Sequence, residues 1–204
     1  MKKFVSFLLV CGLVAGAFWL GTVADDRQSL RNSLIRLHVV GASNSQEDQK
    51  IKLLVRDAIT ERLEKVMAEL PDMESAKAYI QTHLPELETV ANNALQAAGS
   101  VKTAVVSFME EAFPRREYDT FSLPAGVYES LRVTIGQGEG KNWWCVVFPR
   151  LCVSATAEGF EDTAVSAGLS NELTGALVGE PEYQVRFFFL DCLGWIENLF
   201  HRAY

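Results

Sequence analysis

The stretch from Leu131 to Cys152 constrains the fold most. Two strand-like segments, Leu131 to Ile135 and Trp143 to Phe148, are separated by Gly136, Gln137, Gly138, Glu139, Gly140 and Lys141. β-Branched and aromatic residues favour extended backbone on both sides, and the glycines admit the positive φ that a strand-to-strand turn needs. Upstream, Lys102 to Phe108 and Tyr118 to Leu123 carry the same strand chemistry and are set apart by Pro or Gly. The second half of the chain therefore reads as a mostly antiparallel meander, with strands pairing in chain order.

The first half is mainly helical. Leu34 to Val40 is a short strand with Arg36 and His38 on alternating positions, broken by Gly41 to Asn44. Asn44 or Ser45 can cap the next helix, and Glu47 and Asp48 place acid in its first turn. Ile51, Leu54, Val55, Ala58, Ile59, Leu63, Val66, Met67 and Leu70 then recur at three- and four-residue steps, one apolar stripe ending at Pro71. A second helix is expected from Met73 to His83, interrupted by Pro85 and resuming through Leu87 to Ala98, with Gly99 as its cap. Residues 154–181 have weak periodicity around Ala164 to Leu177. From Tyr183 to Phe200 an amphipathic helix is expected with Phe189, Leu193, Ile196 and Phe200 on one side; Arg186 and Asp191 make it a poor membrane span. The expected class is α+β, with helices packed on a mostly antiparallel sheet behind an N-terminal signal or anchor.

That N-terminal unit is residues 1–24, followed by one globular domain over 25–204. Lys2 and Lys3 precede an apolar run from Phe4 to Leu20, and Asp25 and Asp26 follow. The pattern is that of an export signal, with cleavage after Ala24 or Ala17, or retention as an anchor. In each case the flanking charges send the remainder across the membrane. The formal charge of −7 becomes −9 once Lys2 and Lys3 leave with the segment. So acidic a body disfavours nucleic acid and anionic lipid as partners. Membrane contact is expected only through residues 1–24, if they are retained.

The glycine loop does not have phosphate-loop spacing. Three residues separate Gly136 from Gly140, Asn142 stands where a hydroxyl would hold magnesium, and a strand rather than a helix follows. Cys145 and Cys152, close together in an exported segment, fit either a disulfide or two buried thiols. Cys145 as a nucleophile would need a base, and His38 is the candidate. Two cysteines without a second Cys or His pair do not make a structural zinc site, so neither metal nor cofactor is expected. Trp143 and Trp144 alternate across their strand, which leaves one of them able to anchor a partner beside Asn142 and Arg132. Asp48, Lys52, Arg56 and Asp57 share a helical surface.

Three blocks, in order, resemble stage II sporulation protein R, a family of secreted signalling proteins of endospore-forming bacteria. The first is Ile35 to Lys50 with Lys52, Val55, Arg56 and Asp57; the second is Phe121 to Gly126 leading into Tyr128, Leu131, Arg132 and Val133; the third is Leu131 to Cys152. With the apolar start, the resemblance covers roughly residues 34 to 152 and the leader. It implies a non-enzymatic protein made in the forespore and exported into the intermembrane space of the septum. There it would activate a membrane-embedded aspartic protease of the mother cell, which matures a sigma-factor precursor. Partner-binding candidates are Arg36, His38, Asp48, Lys52, Arg56, Arg132, Asn142, Trp143 and Trp144. The competing reading is an exported cysteine-dependent hydrolase of cell-wall material, with Cys145 and His38 as its dyad.

Overall fold

A computed structural model describes residues 2–149 and 160–201. Helix α1 spans Lys2–Ser33 and runs directly into β1, Ile35–Val40. Three helices follow: α2 (Gln46–Glu69), α3 (Met73–Thr82) and α4 (Leu84–Ala97). Ser45 caps α2 by accepting a 3.1 Å hydrogen bond from the Asp48 amide, while Pro85 occupies the first turn of α4, where its missing donor is harmless. Strands β2 (Ala104–Phe113), β3 (Arg116–Glu117), β4 (Ser122–Leu123), β5 (Gly126–Ile135) and β6 (Asn142–Phe148) come next. The chain ends in α5 (Phe160–Ser166), α6 (Asn171–Val178), a 3₁₀ turn at Pro181–Tyr183 and α7 (Gln184–His201).

The main sheet has the order β2-β5-β1-β6, and β3 pairs with β4 in a separate two-stranded ribbon. Strand β1 is parallel to β5 and antiparallel to β6, while β2 and β5 are antiparallel. The sheet is thus mostly antiparallel, as expected, but not a meander, because β1 lies between β5 and β6. All six of its residues are buried, the mark of a central strand. The link from β5 to β6 must therefore cross over the end of β1, a span of two interstrand spacings or roughly 10 Å. Residues 136–141 make that crossing, and Gly136 and Gly138 take the anticipated positive φ.

The crossing loop rests on the backbone that leaves β1. The Gly140 amide donates to the Gly41 carbonyl at 2.8 Å, and the Lys141 amide to Asn44 Oδ1 at 2.9 Å. A Cβ at Gly140 would stand 2.7 Å from that same carbonyl oxygen, so close approach requires glycine here.

Both sheet faces are covered. On one, Leu37 and Val39 of β1, Leu131 and Val133 of β5 and Cys145 of β6 pack against the stripe Ile51, Val55, Ile59, Leu63 and Met67 of α2 and against Leu87, Ala91 and Leu95 of α4. Each large aliphatic buried in this way contributes about 1.5–3 kcal/mol. Leu54, assigned to the stripe by periodicity, is exposed. On the other face lie Val23 and Leu30 of α1, Phe160 and Ala164 of α5, Leu173 and Leu177 of α6, and Phe187 and Leu190 of α7. The terminal helix is amphipathic, but its inward face is Phe187, Leu190, Gly194 and Asn198, whereas Ile196 and Phe200 are exposed. Half of the expected stripe holds, since Phe189 and Leu193 pack at the edge of this cluster, and the centre of the docking surface is shifted because a glycine and an asparagine, neither of them apolar core residues, join Phe187 and Leu190 there.

The N-terminal helix has two characters. Its segment from residue 3 is long and apolar enough to cross a membrane, and the most apolar window is wholly unburied. The part near its end joins the second cluster, where Asp26 pairs with Arg186 and Arg31 Nη1 donates to Glu197 at 2.9 Å. The division after residue 24 falls within this continuous helix.

Candidate functional site

A polar row crosses the second face of the sheet, where the inward positions of β1, β2, β5 and β6 meet. Alternation places Arg36 and His38 of β1, Glu111 and Phe113 of β2, Ser130 and Arg132 of β5, and Trp144 of β6 on this side. Glu111 is the hub. Its Oε1 lies 2.8 Å from His38 Nδ1 and accepts from Arg132 Nη1 at 2.9 Å, and its Oε2 accepts from Ser130 Oγ at 3.0 Å. Burial alone would raise the Glu111 pKa; the hydrogen bond from His38, the charges of His38 and Arg132, and Ser130 outweigh it and hold the carboxyl below the usual range.

Aromatic rings close the row on both sides. The His38 ring stacks on Trp144 with centroids 5.4 Å apart, and the Arg36 guanidinium lies 4.1 Å from the Phe113 centroid and 5.1 Å from that of Tyr128. Arg36 is completely buried, and its Nη2 donates to Tyr118 Oη at 2.9 Å. Tyr128 is pushed up to about 12 by burial and stays a neutral phenol that donates to the Pro124 carbonyl at 2.9 Å. From the β3–β4 ribbon, Arg116 places its guanidinium 3.5 Å from the Trp144 centroid.

The other predicted residues form a second group, at the end of the sheet where the crossing loop meets α2. Asp48 pairs with Lys102, and hydrogen bonds from Lys102 and Ser43 hold its carboxyl below the usual range. Buried Lys52 donates to Gln49 Oε1 at 2.7 Å and to the Lys141 carbonyl at 3.1 Å. Burial lowers its pKa, and repulsion from Arg56 and Lys141 adds to the effect. Arg56 covers the Trp143 ring at 4.4 Å and pairs with Asp57. Asn142 is exposed beside Trp143, which keeps 37% of its surface open. Lys52 thus braces the loop and Asp48 ties the start of α2 to Ser43 and Lys102, while Arg56, Asn142 and Trp143 remain at the surface.

The pairing register separates Cys145 from His38. Cys145 is opposite Leu37 and belongs to the helix-covered core, whereas His38 is opposite Trp144 and projects from the other face. The dyad required by the hydrolase reading is not assembled. Cys145 is disulfide-bonded, and Cys11 and Cys192 are free thiols. Cys152, the expected partner, lies outside the described residues, so we propose the Cys145–Cys152 bond as an expected result: non-reducing peptide mapping of exported protein recovers the two residues joined. Rapid alkylation of both without reductant would count against it.

Sequence reasoning missed Glu111, Arg116, Tyr118 and Ser130. Glu111 and Ser130 look like ordinary outward polar positions of strands, and only strand pairing brings them to His38 and Arg132.

These features define an α+β protein with an apolar N-terminal helix, a sheet covered on both faces and a largely buried charged row, without the nucleophile–base pair that the competing hydrolase reading requires. The chain belongs to the stage II sporulation protein R family, whose model matches residues 31–158. It is 28% identical over 215 aligned positions to the stage II sporulation protein R of Bacillus subtilis (strain 168), an alignment that covers 95% of each chain. No solved structure matches it.

Proposed function

We propose that the chain is an exported sporulation signal, released by the forespore into the septal intermembrane space, where it activates a membrane-embedded aspartic protease of the mother cell. That protease then matures a sigma-factor precursor. Family membership carries the reading, and the wholly exposed apolar segment of α1, flanked by Lys2 and Lys3, supports export. Such a ligand acts only by binding the active state of its receptor more tightly than the inactive state. Trp143, partly open beside exposed Asn142 and covered by Arg56, is the candidate anchor for that contact.

Co-expressing the chain with the protease and the sigma-factor precursor in a non-sporulating host tests this directly. Processing is expected only when all three are present. Trp143→Ala should require roughly tenfold more exported protein for the same processed fraction, the loss typical of a central interface tryptophan. Processing that continues without the chain would overturn the activator role.

A further inference from the structure

We propose that Arg36, Arg116 and His38 form a carboxylate-binding site on the second face of the sheet. Arg36 is fully buried, yet its Nε and Nη1 have no hydrogen-bond partner, and among the described residues no carboxylate lies within ion-pair distance of it. Arg116 is half-buried, and its Nε too is buried and unpartnered. Every other described arginine, namely Arg27, Arg31, Arg56, Arg62, Arg115, Arg132 and Arg186, meets an acid. His38 Nε2 is a fourth buried polar atom without a partner, since Glu111 engages only Nδ1.

Burying an uncompensated guanidinium is costly, and the rings of Phe113 and Tyr128 offset part of that cost without satisfying a single N–H. What the site lacks is a planar acceptor. A carboxylate fits: two guanidinium edges supply charge-assisted donors, and the imidazole adds another once protonated. Phosphate fits less well, because its second negative charge would face Glu111, whose Oε1 is already 2.8 Å from the His38 ring. Entry is from the half-buried rim of Arg116, Tyr118 and Trp144, where Arg116 lies over the Trp144 ring and Tyr118 accepts from Arg36. The carboxylate can come from a small free acid or from an acidic side chain of a protein partner.

The test uses the full chain in neutral-detergent micelles, followed by titration calorimetry and heat unfolding. Sodium acetate represents a free acid. A capped pentapeptide with one central Glu represents a protein side chain, with its Gln counterpart, sodium chloride at equal ionic strength and inorganic phosphate as comparators. Saturable binding of acetate or the Glu peptide is expected, with none for chloride or the Gln peptide, and whichever binds more tightly names the source. Arg116→Gln, on the rim, should weaken binding by about tenfold or more through loss of charge-assisted hydrogen bonds. Arg36→Met should abolish binding while raising the unfolding temperature of the ligand-free chain, because it removes an uncompensated buried charge. No saturable binding, phosphate bound more tightly than acetate, unchanged affinity in Arg116→Gln, or an Arg36→Met chain that is less stable than wild type would each overturn the site. No protease takes part, so failure here leaves the activator role standing.

Discussion

Gly194→Ala is expected to unseat the terminal helix. Alanine improves local helix propensity by about 1 kcal/mol over glycine, so any net loss must come from docking. At this point the helix lies directly against the backbone that leads into β5. Asp191 Oδ1 accepts from the Ala125 amide at 2.7 Å, Glu197 Oε2 from the Val127 amide at 3.2 Å, and Asn198 Nδ2 donates to the Phe113 carbonyl at 2.7 Å. Between those anchors a Cβ at Gly194 would overlap the Ala125 carbonyl, which is backbone and cannot rotate away. Relieving the overlap moves α7 off the start of β5 and strains all three hydrogen bonds. A net destabilisation of about 2 kcal/mol is expected, within the range for overpacking a tight contact. Denaturant unfolding of the full chain in detergent measures it as a lower midpoint at unchanged slope, with Val185→Ala on the exposed side of α7 as a control near zero. A Gly194→Ala midpoint as close to wild type as the control's would refute this account of the helix–sheet contact.

The same helix shows which parts of the fold are readable in one dimension. The α2 stripe of Ile51, Val55, Ile59 and Leu63 is legible because a helix face is set by local spacing, and it packs as expected. The inward face of α7 is not, because it depends on how closely a backbone can approach, a property that Gly194 and Asn198 confer without being apolar. Strand β1 illustrates the second limit. Its extended character is local, but its place between β5 and β6 is set by pairing over long sequence separations, so the chain-order meander failed there. The length of the glycine loop was the available clue, since six residues exceed what a tight hairpin needs.

The candidate site divides along the same line. Arg36 and His38 stand out locally as charged positions in a short apolar strand, and they are indeed central to the buried row. Glu111 and Arg116 come to them from segments more than seventy residues away, with nothing in their own neighbourhoods to mark them. Asp48 and Lys52 show the converse: spacing placed them on a surface, whereas both are buried, Asp48 paired with Lys102 and Lys52 bracing the crossing loop through the Lys141 carbonyl.

Export is expected to fail when charge is placed in the apolar part of α1. Leu13 and Val14 are exposed and make no part of either core cluster, so Leu13→Arg/Val14→Arg leaves the packing of the globular region untouched. Each arginine near the centre of an inserting helix costs about 2.5–3.5 kcal/mol, and the pair shifts insertion by a factor on the order of 10⁴. A C-terminal reporter that folds only outside the cytoplasm should lose its activity, while the protein accumulates inside the cell at comparable amounts. Restoring Leu13 and Val14 should restore it, and Val185→Arg, equally exposed but on α7, should leave it unchanged. Undiminished reporter activity from the double variant would show that α1 does not direct the chain across the membrane and would remove the topological basis for signalling from the intermembrane space. Loss confined to the α1 variant would place the deciding information in the apolar segment and leave the sheet, the buried charged row and Trp143 to act after translocation.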